Sequence, residues 1–218
     1  MNLEFYEISD EYVDYMKQFF LTTMLDNKVG SRKHSRKYVG IVLKINSINY
    51  FAPLSSPKKF DYMTDGRIRK SSFLVLRMVH KYKDGISLLG TIKLNNMLPV
   101  PDSEVKMINM DLYEDKAYKE LIKNELMWIR NNLSKIYSQA LLLYRLKNDD
   151  DRRKISTNKQ LYSGVMPFLL AEQKFRNSQK IKGLGIKKWT PMWPRAYITL
   201  KIDLPCSWNY VRVNSIVK

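Results

Sequence analysis

Apolar and polar positions along the chain predict short strands interleaved with helices. Leu3 to Ile8 reads as a strand. Ser9-Asp10-Glu11 then starts a helix, because Ser9 can cap it and the two acids suit the positive end of its dipole. That helix is expected to run to about Thr22, with Tyr12, Val13, Met16, Phe19 and Phe20 on an apolar face. Tyr38 to Ile45 is β-branched and almost continuously apolar, the pattern of a strand covered on both faces. Asn46-Ser47 turns it into a second strand, Asn49 to Ala52, with Pro53 and Pro57 expected to end regular pairing. Ser71 to Val79 and Ser87 to Leu94 are two further strands, joined through Lys83-Asp84-Gly85. Asn95 to Pro101 closes that unit.

From Asp115 to Leu146 the pattern changes to helical. Ile122, Leu126, Ile129, Leu133, Ile136, Ala140 and Leu143 recur in steps of three and four and predict one long helix with a core-facing stripe. Asn148 to Asp151 should break it. A last helix is expected from Ser163 or Pro167 to about Gln179. The predicted fold is α+β: a twisted, mainly antiparallel sheet with helices packed against it, one of them long. At Ile181 glycine, proline and tryptophan become frequent. This divides the chain into a domain over 1–180 and a C-terminal extension over 181–218.

Charge adds the first functional information. The 218 residues hold 38 Lys+Arg against 21 Asp+Glu, a net of +17. Such an excess draws polyanions, since each neutralised phosphate releases condensed counterions. Lys28 to Lys44 contains six basic residues and no acid, so Arg32, Lys33, His34, Arg36 and Lys37 are candidates for contact with a polyanion such as a nucleic acid. An apolar content of 44% supports a packed core. No apolar run approaches the ~20 residues that span a bilayer, and no basic amphipathic helix stands out, so no membrane partner is expected. The N-terminus lacks the pattern of a secretory signal, and a cytoplasmic protein is expected. A single cysteine, Cys206, leaves no internal disulfide framework and no zinc site needing two thiolates. His34, His80 and the scattered acids form no metal-ligating pattern, and no cofactor is expected. The nucleotide-loop, GxSxG and HExxH motifs are also missing.

One segment carries chemistry. Tyr50-Phe51-Ala52-Pro53-Leu54-Ser55-Ser56-Pro57-Lys58-Lys59-Phe60 is a strand ending in a proline-stiffened turn with two hydroxyls and two ammoniums. Hydroxyls and turn N–H groups donate to phosphate oxygens, and lysine adds point charge. Taken alone, the segment also fits an ordinary solvated loop.

The segment Tyr38 to Leu43 followed by Ala52 to Phe60 resembles the signature of the ToxN/AbiQ toxins of type III toxin–antitoxin systems: a GIVL strand, then APL-[ST]-SPKK. Asn95 to Pro101 is similar to the family's NNMIPVP-type stretch, and Phe5 to Tyr12 to its opening FYxIS-x-x-Y. The four segments occur in the family's order between about Leu3 and Pro101. The resemblance implies a sequence-selective, metal-independent endoribonuclease active in abortive phage infection. It implies inhibition by an RNA antitoxin of tandem repeats, with cellular or phage RNA as substrate and a possible higher-order toxin–RNA assembly. It maps the active-site hydroxyls to Ser55 and Ser56, the lysine to Lys58 and the N-terminal tyrosine to Tyr12, with Lys59 beside them for RNA. Where some members carry an aromatic residue, this chain has the basic run Ser31 to Arg36. The region from Ile181 has no family counterpart.

These side chains suit transesterification, in which the RNA supplies its own 2′-hydroxyl as nucleophile. Lys58 would stabilise the phosphorane, Ser56 would donate to a non-bridging oxygen, Ser55 would orient it, and Tyr12 would position the phosphate or transfer a proton. The alternative is a basic RNA-binding protein without catalysis, for which net charge and interleaved aromatics would suffice.

Overall fold

The computed structural model describes residues 4–27, 36–83, 85–110, 113–153 and 162–183. Its strands are β1 (Glu4–Ile8), β2 (Tyr38–Ile45), β3 (Ile48–Ser55), β4 (Val75–Tyr82), β5 (Gly85–Lys93), β6 (Leu98–Pro99) and β7 (Val105–Met107). They form one antiparallel sheet in the order β4-β5-β3-β2-β1-β7, with β6 paired to β3. The helices are α1 (Asp10–Lys17), α2 (Lys116–Asn131), α3 (Leu133–Arg153) and α4 (Phe168–Gly183). The fold is α+β, as the pattern predicts. None of the described helices is long and apolar enough to cross a membrane. The proposed extension beyond Gly183 lies outside the described residues, and α4 itself runs past the expected boundary at 180.

Local chemistry explains the central hairpin. Asn46 and Ser47 both adopt positive φ, 48° and 65°, as a two-residue turn between twisted strands requires. On β2, Gly40 sits opposite Phe51, and a Cβ there would lie 2.1 Å from the Phe51 ring. Only glycine admits that ring. Tyr50, Phe51, Ala52 and Leu54 of β3 are all buried, so the strand is covered on both faces. Ser9 caps α1 by accepting from the Tyr12 N–H at 3.2 Å.

The helical region differs from expectation. The single long helix is two helices, broken at Asn132, where φ is −123° and ψ is 20°. Its side-chain amide donates to the Trp128 carbonyl at 2.8 Å, the acceptor its own backbone N–H would use in a continuing helix. That N–H turns instead to the Ile129 carbonyl at 3.0 Å, and the Asn132 carbonyl accepts from Ile136 and starts α3. The apolar stripe continues across the break, which is why periodicity conceals it. The expected stop at Asn148 is also absent, since α3 continues to Arg153.

Two buried carboxylates fasten helices to sheet. Glu172 of α4 accepts from the Tyr50 hydroxyl of β3 and the Tyr144 hydroxyl of α3, both at 2.7 Å. Glu125 of α2 pairs with Lys37 at 2.7 Å, both side chains being less than a tenth exposed. Burial pushes the Glu125 carboxyl up and Lys37 pulls it back, so desolvation outweighs the attraction. Glu125→Leu alone should strand the Lys37 ammonium and cost about 3–5 kcal/mol in urea unfolding. The double variant Lys37→Met/Glu125→Leu should recover most of that loss. Equal destabilisation by the single and double variants would contradict the pairing.

Candidate functional site

The site begins where β3 changes partners. Up to Pro53 the strand pairs with β2, and at Leu54 and Ser55 it pairs with Ile92 and Thr91 of β5. Pro53 does not end the strand. It stands at the exchange, where its missing N–H costs no ladder bond, and Leu54 resumes with its N–H on the Lys37 carbonyl at 2.9 Å. After Ser55 the chain leaves the sheet, and Lys59–Asp61 closes a single 3-10 turn through Asp61 N–H to the Lys58 carbonyl at 2.8 Å.

Asp61 holds this turn. It is 0% exposed. One carboxylate oxygen accepts from the Lys58 N–H at 3.0 Å, and the other accepts from the Arg77 guanidinium at 3.1 and 3.0 Å. Arg77 of β4 lies opposite Thr91 of β5, which lies opposite Ser55 of β3. Cross-strand partners share a face, so these three form a row across the sheet. Lys93, two residues beyond Thr91, falls on the same face. Its ammonium lies 5.1 Å from the centre of the Phe60 ring, and that of Lys58 lies 5.9 Å from it. Burial lowers the Lys93 pKa below the ordinary lysine range. Asp61 pulls it back, while Arg77, Lys58 and Arg36 push it down.

Ser56, Lys58 and Lys59 are exposed, and Ser55 is half-buried. Arg36 is buried and donates to the Leu54 carbonyl at 2.7 Å and to the Ser55 hydroxyl oxygen at 3.1 Å. Ser55 therefore accepts from arginine and keeps its own proton for donation elsewhere. The result is a patch of hydroxyl donors and cations around one buried carboxylate, the chemistry that binds a phosphodiester and answers charge developing on it. Among the described residues, no three His, Cys, Asp or Glu side chains converge as a metal-binding group.

The structure brings Ser55, Ser56, Lys58 and Lys59 together, and Tyr12 elsewhere. The Tyr12 hydroxyl is buried and donates to the Pro99 carbonyl at 2.6 Å. Pro99 pairs with Tyr50, so this hydroxyl stands five residues back along β3 from Ser55. That is on the order of 16 Å at about 3.3 Å per residue. Tyr12 is a core residue apart from the turn. Lys37 is likewise not placed for RNA, because its ammonium is inside the ion pair with Glu125. Arg36 acts from beneath Ser55 and not at the surface. Arg32, Lys33 and His34 lie outside the described residues.

Asp61, Arg77 and Lys93 went unread in the sequence. Asp61 did leave a signal: it is the first acidic residue after Asp26, a lone acid directly behind Lys58-Lys59. Arg77 and Lys93 are polar positions within apolar strands, which become informative only once the strand order is known.

An open antiparallel sheet that ends its central strand in such a turn defines an α+β protein suited to act on a polyanionic chain. The chain belongs to the ToxN toxin family of type III toxin–antitoxin systems, whose family model matches residues 4–175. It is 30% identical over 185 residues to Endoribonuclease ToxN of Pectobacterium atrosepticum, across 82% of this chain and 95% of that protein. It is 33% identical over 147 residues to Endoribonuclease AbiQ of Lactococcus lactis subsp. lactis, across 66% of this chain and 75% of AbiQ. A solved structure from work on selective toxin inhibition by a non-coding RNA pseudoknot in type III systems superposes with a TM-score of 0.67 at 26% identity. That match covers 83% of this chain and 99% of the other.

Proposed function

We propose that this protein is a sequence-selective endoribonuclease toxin of a type III system, acting in the cytoplasm in abortive defence against phage. It cleaves RNA by metal-independent transesterification and is held in check by an RNA antitoxin of tandem repeats. The observation that carries this reading is the Ser55–Lys59 turn, fixed by buried Asp61, with Lys58 and Lys93 both close to the Phe60 ring. Family membership supports the RNA substrate and the RNA inhibitor.

In this mechanism the RNA's 2′-hydroxyl gives up its proton and attacks the adjacent phosphorus, and the bond to the 5′-oxygen breaks as that oxygen takes up a proton. The products are a 2′,3′-cyclic phosphate and a 5′-hydroxyl. Ser56 donates to a non-bridging oxygen. Ser55, its oxygen already engaged by Arg36, donates from a fixed position. Lys58 and Lys93 supply the positive charge that the phosphorane needs and the ground state needs less. Lys59 holds a neighbouring phosphate. Antitoxin RNA occupying the same patch blocks substrate, and a repeated antitoxin can bridge several toxin copies into a larger assembly.

Purified protein in excess EDTA should cut RNA to fragments ending in cyclic phosphate. Ser56→Ala and Lys58→Ala should each slow cleavage about 10²–10³-fold, the usual cost of one oxyanion donor, while RNA affinity changes little. Tight RNA binding by the wild type without cleavage would favour the non-catalytic reading. Loss of wild-type cleavage in EDTA would overturn the mechanism.

The Lys93 environment adds a pH prediction. A lowered pKa means that its ammonium is lost, as pH rises, earlier than in an ordinary lysine. The kcat/KM profile should rise as the 2′-hydroxyl is more readily deprotonated, then bend downward below the usual lysine range. Lys93→Arg, charged throughout, should remove that bend. An unchanged profile would exclude Lys93 from the reaction.

A further inference from the structure

The turn is not the only cationic concavity. A second, open cleft of about 770 Å³ lies between the 66–71 loop, the outer strands β4 and β5, and the α2–α3 corner. Arg69, Lys70, Arg77 and Lys135 line it together with the apolar Val79, Ile86 and Trp128. Arg67 also lines it and is paired with exposed Asp65. Among the described residues, no carboxylate lines the cleft. Lys70 and Lys135 are exposed and make no ion pair among the described residues. Val79 and Ile86 are 38% and 59% exposed, and Trp128 is half-buried.

This composition selects among occupants. Lysine is depleted in protein interfaces, and Lys70 and Lys135 with no described carboxylate beside them suit a polyanion better than a protein partner. Apolar side chains with an indole, interleaved with cations, are the make-up of a single-strand nucleic-acid site: bases lie on the aromatic surface and phosphates on the cations. The cleft also shares Arg77 with the support of the turn. Arg77 bonds Asp61 directly behind Lys58 and lines the cleft as well. The 66–71 wall is anchored to the same place, since the Arg69 N–H donates to the Asp61 carbonyl at 2.9 Å and Arg77 to the Lys70 carbonyl at 2.8 Å.

We infer that this cleft is an extended RNA subsite that takes an unpaired base on Trp128 and its flanking phosphates on Lys70 and Lys135, next to the cleavage turn. The inference rests on the proposed ribonuclease reading for its choice of ligand. It makes length of RNA, and not only sequence at the cut, a determinant of affinity. Substrate longer than the turn can hold gains contacts here, and so does antitoxin RNA.

The test uses the full chain and 2′-O-methyl oligoadenylates, which cannot be cut, of about 4 and about 16 nucleotides, the span of ordinary single-strand site sizes. Wild type should bind the longer one more tightly. Trp128→Ala should weaken the longer one about 5- to 100-fold and the shorter one little, with Trp128→Phe restoring affinity. Lys135→Ala, on an exposed position that should not disturb folding, should lower the salt slope for the longer oligonucleotide by about 1. Wild-type affinity and slope in both Trp128→Ala and Lys135→Ala would overturn the cleft assignment while leaving cleavage by the Ser56 turn intact. Wild type that binds neither length would overturn the RNA reading itself, and the cleft with it.

Discussion

A carboxylate shut away from water must have its charge answered from inside the protein, and Asp61 is answered from two directions. The Lys58 N–H fixes the turn and the Arg77 guanidinium fixes the sheet. Because Arg77 is on β4, opposite β5, and β5 receives the end of β3, this carboxylate relates the Ser55–Lys59 segment to three strands at once. A buried ion pair of this kind is poor evidence of stability, since desolvating both partners offsets most of their attraction. What it provides is position. Lys58 leaves the turn in one direction, and two hydroxyls precede it at a fixed offset.

The patch above Asp61 holds more positive charge than a stable protein surface requires. Lys93 is half-buried beside Arg77, Lys58 and Arg36, and burial first and those charges second make it give up its proton more readily. Clustering like charges costs folding energy, and sites that break the rules of stability in this way are commonly functional. In the proposed function a phosphodiester would supply the missing anion. The buried Lys37–Glu125 pair, close in sequence to Arg36, has no such excess and reads as structure.

What the sequence disclosed followed from contiguity. Ser55 to Lys59 could be read as a candidate site because its chemistry lies in five consecutive residues, and the β2–β3 hairpin because Asn46-Ser47 names its own turn. Charge counting failed at Arg36 and Lys37, since composition does not distinguish a solvated cation from one beneath a strand. Tyr12 failed for a related reason: motif position says nothing about which way a side chain points. Asp61, Arg77 and Lys93 come from three separate segments and meet only through strand order. The helix break at Asn132 left the apolar stripe undisturbed, and β6 and β7, of two and three residues, are too short to carry a period.

The central claim is that Asp61 makes the turn a reactive site by holding it. Its most direct test is kcat for RNA cleavage by Asp61→Ala, measured on protein shown to unfold cooperatively and to bind RNA. Removing the carboxylate leaves the Lys58 N–H unmet and frees Arg77, so kcat should fall about 100-fold while RNA affinity, carried by the surrounding cations, persists. A folded Asp61→Ala protein with wild-type kcat would contradict the account.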